Sequence, residues 1–589
     1  MLGVGRILRM SYQGSQAVLR SFLKPEVNMY EGRANFKVRQ QLKLRCSHCY
    51  FIRVDGRWEV RCTEFAKHHQ KEPFNVEACV QILEDYFGPI VASVGNILLC
   101  GAMTLPVLLQ RLKPKFTISE IKRAVIILEQ HGIVQFVQDD RQNIVYSAQT
   151  NEILRLLRSA RCSFVAKTLY GEIAEMICEE IASHGRLTCS SCIRRVASKL
   201  EKDYNEIKLV FARLAETQFV IRCPKVESEF LGCPIFEKPV DPFMMPEAIL
   251  NAGKHAIKSN TISGKRKKLD ADEDDPDRDI LWKVNYVRFE RYLRDEMVIK
   301  AYSSSDAVHQ NCIKTLKVLL KIAEMKADSA APSSFPASVH DVVKAARVHY
   351  NNLTKQEIDV ALKLLCESDG IVRKVGESSG GLFVVDFEKA INIHCQRHIE
   401  SAIRETFDAP AVRIFRLLMQ KGFLEEDHVE KLAMMSSKEA HNRCYQLWEK
   451  GFILMKHLAK TNDFAPTRTI YLYYVDMSVV AHNLYLFTCK VLRNVIIRRR
   501  HETKKHKVLI EKNLKMEAII STIETDGSLN EELKKEQVEE VEEIYMTPGD
   551  SAILGKYKKG QNALMSTEIE LDLDLLLYKL YLDFARRKL

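Results

Sequence analysis

Arg123 to Ser147 reads RAVIILEQHGIVQFVQDDRQNIVYS. A helical pattern, carried by Ala124, Ile127 and Leu128, stops at Gly132. Ile133 and Val134 follow, a polar turn covers Asp139–Asn143, and a second apolar run covers Ile144–Tyr146. The spacing predicts helix, glycine stop, strand, turn, strand. A winged-helix module ends this way, with a helix-turn-helix and then a β-hairpin wing.

The same ending recurs three times. Val210–Arg222 reads VFARLAETQFVIR; Gln218 replaces the glycine, and no clean second strand follows. Val360–Asp386 reads VALKLLCESDGIVRKVGESSGGLFVVD. Arg443–Asp476 contains CYQLWEKGFILMKHL, a turn rich in Asn, Asp and Pro, then TIYLYYVD. Intervals of about 80–150 residues are too long for a solenoid. They predict a tandem array of small domains, each large enough for its own core. The predicted fold class is mainly α with small β-hairpin wings: four tandem extended winged-helix domains plus a C-terminal coiled coil, preceded by a small zinc ribbon.

Composition is that of a globular chain of 589 residues, 46% hydrophobic and 28% charged. No apolar run approaches the ~18 residues of a membrane helix. Sixteen scattered cysteines read as reduced thiols in an intracellular protein. The net charge of +11 is unevenly placed: residues 1–71 hold 14 Lys/Arg against 5 Asp/Glu, and the rest hold 74 against 72. A nearly neutral body does not bind polyanions through net field alone, although local basic patches can.

Residues 1–35 carry Arg6, Arg9, Arg20 and Lys24 with no acid before Glu26, which suits a mitochondrial transit peptide or a basic tail. Next, Phe36–Gln70 reads FKVRQQLKLRCSHCYFIRVDGRWEVRCTEFAKHHQ. Cys46 and Cys49 form a CxxC knuckle, and Val54–Arg57 is a turn between two short strands. The second strand delivers Cys62, and His68 follows. Three thiolates and an imidazole suit tetrahedral zinc, and so small a unit needs a metal staple. His48 and His69 are rival ligands. Residues 36–71 resemble the smallest zinc-binding protein of the bacterial-type large ribosomal subunit, in its mitochondrial form. The resemblance implies zinc on Cys46, Cys49, Cys62 and His68. It also implies ribosomal RNA phosphates against Lys37, Arg39, Lys43, Arg45, Arg53, Arg57, Arg61 and Lys67.

The body divides into modules. Winged helix 1 covers 75–158, with Val80, Leu83, Phe87 and Ile90 on an opening helix interrupted by Gly88-Pro89. Leu105–Leu112 is its second helix, and Thr117, or Ser119 with Glu120, starts the recognition-type helix. Lys122 and Arg123 lie where such a helix contacts DNA, although a solvated face reads the same way. Winged helix 2 covers 161–253, with one helix over Ala166–Ser183 and a CxxC at Cys189 and Cys192 that reads as ordinary half-buried cysteine. A charged linker spans 254–279; its Lys265–Lys268 block reads as a nuclear-localisation signal or a solvated hinge. Winged helix 3 covers 280–407 and winged helix 4 covers 408–476. Residues 477–589 form a coiled coil, with Leu509, Met516 and Ile523 at seven-residue steps, and a closing helix over Glu568–Lys588. Arg498–Arg500 with Lys504, Lys505 and Lys507 is a basic patch that suits nucleic acid or a solvated face.

Residues from about 75 to 589 resemble the winged-helix subunits of RNA polymerase III, the large member of its peripheral heterotrimer, related to the α subunit of TFIIE. The segments that carry this are ILEDYFGPIVASVG, IVYSAQTNEILRLLR, AKTLYGEIAEMICEEI, ARLAETQFVIRCP, ILWKVNYVRFERYLRDE, VRIFRLLMQKG, APTRTIYLYYVD and IIRRRHETKKHKVLIEK. The resemblance implies a non-catalytic role in promoter opening and initiation, in the nucleus. The implied partners are other polymerase subunits, promoter DNA and initiation factors, with no membrane. That family does not begin with a zinc ribbon, so two adjacent genes joined at Lys71–Asn75 is the expected origin of the chain. An enzyme finds no support in a P-loop, HExxH, nucleophile elbow or paired-carboxylate motif. Near-neutral charge argues against a stand-alone repressor.

Overall fold

The computed structural model describes residues 74–586 except 114, 139–142, 231–232, 237–240, 246–276, 278, 303–306, 325–330, 351–352, 368–369, 377–380, 460–468, 526–536 and 542–543. Ahead of these it describes 37–38, 46, 48–54, 57–62 and 70–71. The transit-like segment and the Lys265–Lys268 block lie outside the described residues.

At the N-terminus β1 (Lys37–Val38), β2 (Cys49–Val54), β3 (Arg57–Cys62) and β4 (Gln70–Lys71) form one sheet, ordered β1-β4-β3-β2. The pairing of β2 with β3 is the expected hairpin.

The first repeated unit is α1 (Phe74–Phe87), α2 (Pro89–Cys100), β5 (Met103–Thr104), α3 (Leu105–Leu112), α4 (Ile118–Gln130), β6 (Val134–Gln138) and β7 (Ile144–Ala148). Gly88-Pro89 separates α1 from α2 because proline cannot donate within a helix but suits its first turn. Thr117 caps α4 in a reciprocal box with Glu120, whose carboxylate accepts from the Thr117 N–H at 2.9 Å. Gly132, at φ +69, then turns the chain into β6. The sheet order is β5-β7-β6.

The second unit follows the same plan with two departures from the sequence expectation. It comprises α5 (Thr150–Tyr170), α6 (Glu172–His184), β8 (Leu187–Thr188), α7 (Cys189–Leu200), α8 (Tyr204–Glu216) and β9 (Val220–Arg222). Gly171, at φ +91, divides the single helix expected over Ala166–Ser183, and α5 runs unbroken through residues 158–161. Beyond β9 lies a separate hairpin, β10 (Val226–Phe230) with β11 (Cys233–Phe236). The missing wing strand is β12 (Leu281–Val284), which pairs antiparallel with both β8 and β9. The order β8-β12-β9 repeats the first unit, so the charged segment interrupts a wing instead of joining two finished modules. Gln218 takes the glycine's place at φ +68, a conformation that costs a side chain about 1 kcal/mol, and Asn285 Nδ2 donates to its carbonyl at 2.8 Å.

The third unit is α9 (Tyr286–Tyr302), α10 (Ala307–Glu324), β13 (Ala337–Ser338), α11 (Val339–His349), α12 (Lys355–Glu367), β14 (Val372–Gly376) and β15 (Leu382–Val385), ordered β13-β15-β14. After α13 (Phe387–Thr406) come α14 (Ala409–Lys421), α15 (Glu426–Ala433), α16 (Ser437–Glu449), β16 (Leu454–Ala459) and β17 (Thr469–Tyr474). Here a single bridge, Leu424 to Tyr473, stands where the other units have a third strand. The chain closes with α17 (Met477–Lys505), α18 (Lys507–Thr525) and α19 (Pro548–Arg586), whose start at Pro548 precedes the expected Glu568.

The core is not one per module. Buried residues from Cys162 to Ala481 form one cluster, joined by Leu576, Leu577, Tyr578, Tyr581 and Phe584 of α19. The first unit forms a second cluster with Cys489, Val491, Leu492, Val495 and Ile496 of α17 and Leu571 and Leu575 of α19. Each unit is too small to seal its own apolar surface, and α17 and α19 seal both clusters.

Candidate nucleic-acid and metal sites

Helix α4 turns Ile121, Ala124, Val125 and Leu128 inward. This leaves Lys122 and Arg123 exposed in its first turns, as the sequence predicts. Ile126, 61% exposed, lies on the same outward side. Two cations and an apolar side chain can touch a phosphate or a protein surface, and the cationic footprint is small.

Two arginines of the basic patch, Arg499 and Arg500, are committed within the fold. Arg499 Nε donates to Glu568 at 2.8 Å, and Arg499 also pairs with Asp85. Arg500 pairs with Glu84 at 2.9 Å and Asp85 at 3.2 Å, while Arg498 pairs with Glu502 at 2.7 Å. Arg493 meets Glu77 at 2.9 Å. The bonds of Arg493, Arg499 and Arg500 clamp α1 and α19 onto α17, whereas Arg498 pairs within α17 and stays exposed. A solvated or DNA-facing role does not hold for Arg499 and Arg500; Lys504, Lys505 and Lys507 do remain exposed. The acids of α1, one face of an opening helix, were the signal for the clamp.

In the ribbon, register places Cys49 directly opposite Cys62. The hairpin thus brings the CxxC end beside the third cysteine, which fits a tetrahedral Cys3His donor set. Cys46 is half-buried. Lys37, Arg53, Arg57 and Arg61 lie on described strands; Arg39, Lys43, Arg45, Lys67, His68 and His69 lie outside the described residues. The other CxxC is more buried than expected, with Cys189 and Cys192 at 0% and 1% exposure, and burial raises both thiols. Asp277, from the charged linker, is also buried, and its carboxylate accepts from the Ser190 N–H at 2.8 Å at the start of α7.

Where the first two units meet, Gln130 Nε2 donates to the His184 carbonyl at 2.7 Å, and Arg186 pairs with Glu129 at 3.0 Å. His131 packs against Phe87 in a tilted arrangement, with ring centroids 4.7 Å apart. Burial pushes its imidazole down to about 4, helped by His184 and Arg186. A histidine neutral in the fold takes up a proton on unfolding, so this contribution to stability is full above pH 6.5 and declines towards pH 4. The thermal midpoint should therefore fall over that window, and His131→Gln should make the fall shallower. A superimposable profile for the variant would contradict this.

Comparison with known proteins fits this architecture. Residues 77–139 match the RNA polymerase III subunit RPC82 helix-turn-helix domain, 236–393 match RNA polymerase III subunit RPC82, and 399–475 match the POLR3C C-terminal winged-helix domain. Residues 36–72 match ribosomal protein L36. DNA-directed RNA polymerase III subunit RPC3 of Mus musculus is 33% identical over 540 residues, covering 87% of this chain and 99% of the relative. The Homo sapiens protein of that name is 31% identical over 541 residues, covering 87% and 99%. The Danio rerio protein is 32% identical over 540 residues, covering 86% and 98%. Mainly helical, with recurrent helical units and small antiparallel wings, and collinear with these relatives over nearly their whole length, the chain belongs to the RPC3 family of DNA-directed RNA polymerase III subunits.

Proposed function

We propose that residues 75–589 serve as a non-catalytic subunit of nuclear RNA polymerase III. In this role they act in initiation and promoter opening through four tandem winged-helix modules that contact polymerase subunits, initiation factors and promoter DNA. The α17–α18–α19 segment is proposed as a coiled-coil stem for protein contacts. The supporting observation is the RPC3 relationship over 87% of the chain and 99% of the relative. A winged helix docks on protein or DNA, so the fold alone carries no such conclusion. Affinity purification of residues 75–589 from native cells, followed by mass spectrometry, tests it. The other RNA polymerase III subunits should copurify in near-equal amounts, and their absence would overturn the proposal.

A second reading belongs to residues 36–72 alone, supported by the ribosomal protein L36 match and the Cys49–Cys62 register. We propose that Cys46, Cys49, Cys62 and His68 hold zinc there and that the surrounding Lys and Arg face mitochondrial ribosomal RNA. Bound zinc would supply the folding free energy that so small a unit lacks. Elemental analysis of the purified full chain should find about one zinc per chain, lost on Cys62→Ser. A zinc-free parent chain, or a variant that retains full zinc, would refute the ligand set. The two readings imply joined genes; a single 67.7 kDa species in both nucleus and mitochondrion would refute that origin.

A further inference from the structure

The first unit's recognition-type helix offers only Lys122 and Arg123, yet the third unit carries a larger basic groove. Helix α11, helix α12 and strand β14 enclose an open surface cavity of about 1460 Å³. Its cations come from all three elements: Lys344 and Arg347 of α11, Lys355 and Lys363 of α12, and Lys374 of β14. All five are exposed. Spacing explains the alignment. Val342 and Ala346 face the core of α11, which leaves Lys344 and Arg347 outward. Ile358, Ala361, Leu362 and Leu365 do the same for α12.

Three acids share the groove, Asp341, Asp359 and Glu367. Asp341 is occupied locally, since its carboxylate accepts from the Ser338 hydroxyl at 2.8 Å and its N–H donates back to that hydroxyl. Among the described residues no ion pair engages Lys344, Arg347, Lys355 or Lys363, although the arginines of α17 are all paired. Holding like charges unpaired in one concavity costs stability unless an anion fills it. The cavity exceeds the roughly 300–1,000 Å³ of small-molecule pockets, and five cations from three elements stand around its apolar floor. The cations follow two helix faces and the base of a wing, the surfaces a winged helix lays against a duplex.

We propose that this groove of the third unit binds the sugar–phosphate backbone of duplex DNA, making this unit, not the first, the chain's principal DNA contact. The contacts are to phosphate and set position rather than sequence. This deepens the polymerase reading and rests on it only for the source of the duplex.

Fluorescence anisotropy of the full chain with a mixed-sequence 30-base-pair duplex over a salt series tests the proposal. Lys344→Glu/Arg347→Glu/Lys363→Glu should weaken binding at least about tenfold and lower the slope of log K against log salt by about 2.5–3, as three lost phosphate contacts require. The basic first 71 residues are common to every variant, so the difference isolates the groove. Lys122→Glu/Arg123→Glu should lower the slope by less. The milder Lys344→Gln/Arg347→Gln guards against misfolding and should lower the slope by about 2, with an unchanged thermal midpoint. Unchanged DNA binding in both groove variants overturns the proposal. A poly-glutamate peptide that binds the parent groove while DNA binding ignores the variants would assign the surface to an acidic protein segment and also overturn it. Copurification with the polymerase is a separate readout, so the two proposals can fail independently.

Discussion

Arg158→Ala should lower the unfolding free energy by about 3–5 kcal/mol, the cost of breaking a buried charge network from one side. The Arg158 and Asp572 side chains are each only 2% exposed, and the guanidinium Nε meets both Asp572 oxygens at 3.1 and 2.9 Å. Arg158 also meets Glu290 at 2.5 Å, and Arg155 Nε reaches Glu290 at 2.9 Å. Three elements distant in sequence, α5, α9 and α19, are tied at this point. Without Arg158, Asp572 is left buried with no ion-pair partner, and only Arg161 offsets its charge from farther off. Burial alone would raise the Glu290 carboxyl, but the two arginines overcome it and hold it at about 2. A depressed acid contributes stability that is present above its ordinary 4.5 and is lost as pH falls towards 2. The variant should therefore lose less on acidification than the parent. Denaturant unfolding at pH 7 and pH 3 checks both effects. Arg158→Met with Asp572→Leu should recover most of the loss, since an apolar replacement of a buried pair is often neutral. A single variant as stable as the parent would show that the network carries no such weight.

The second large effect is expected at Trp282. Its side chain is fully buried and lies edge-on to Phe211, with ring centroids 5.5 Å apart. Its backbone pairs with Leu187 on one side and Arg222 on the other. Trp282→Ala should cost about 3–5 kcal/mol, from lost transfer free energy and the cavity left behind. Because β12 is the middle strand of the second unit's sheet, cutting the chain ahead of it should not release it. A protease site inserted near residue 260 and cleaved should leave two fragments that comigrate on gel filtration. Cleaved Trp282→Ala should dissociate at lower denaturant than the cleaved parent. Fragments that separate at once would mean that β12 does not hold the halves together.

Local structure was legible in the sequence wherever short-range chemistry decides it. Leu105–Leu112 was bounded to the residue, because Pro106 opens that helix and a polar stretch ends it. Thr117, or Ser119 with Glu120, announced the start of α4, and Thr117 proves to be the cap; Gly132, Gly370 and Gly451 marked the helix ends, all at positive φ. Gln218 hid the same conformation because a side chain there is disfavoured and Asn285 supplies the compensating bond from 67 positions away. Gly171 was missed because the apolar stripe continues past it from α5 into α6. Lys122 and Arg123 were found because exposure on a helix follows periodicity. The groove of the third unit was not, because its cations come from three elements that only the fold brings together.

The sequence by itself determined the repeated helix-and-wing units, the hairpin that sets Cys49 against Cys62, and the family. Those follow from periodicity, capping and turn chemistry, which act over a few residues. Only the tertiary structure decided that β12 completes the sheet begun before the linker, and that Arg499 and Arg500 of α17 clamp α1 and α19 rather than face solvent. It also decided that α17 and α19 seal both apolar clusters. These outcomes depend on which distant faces meet, and burial rewards such contacts only once the whole chain has collapsed around them.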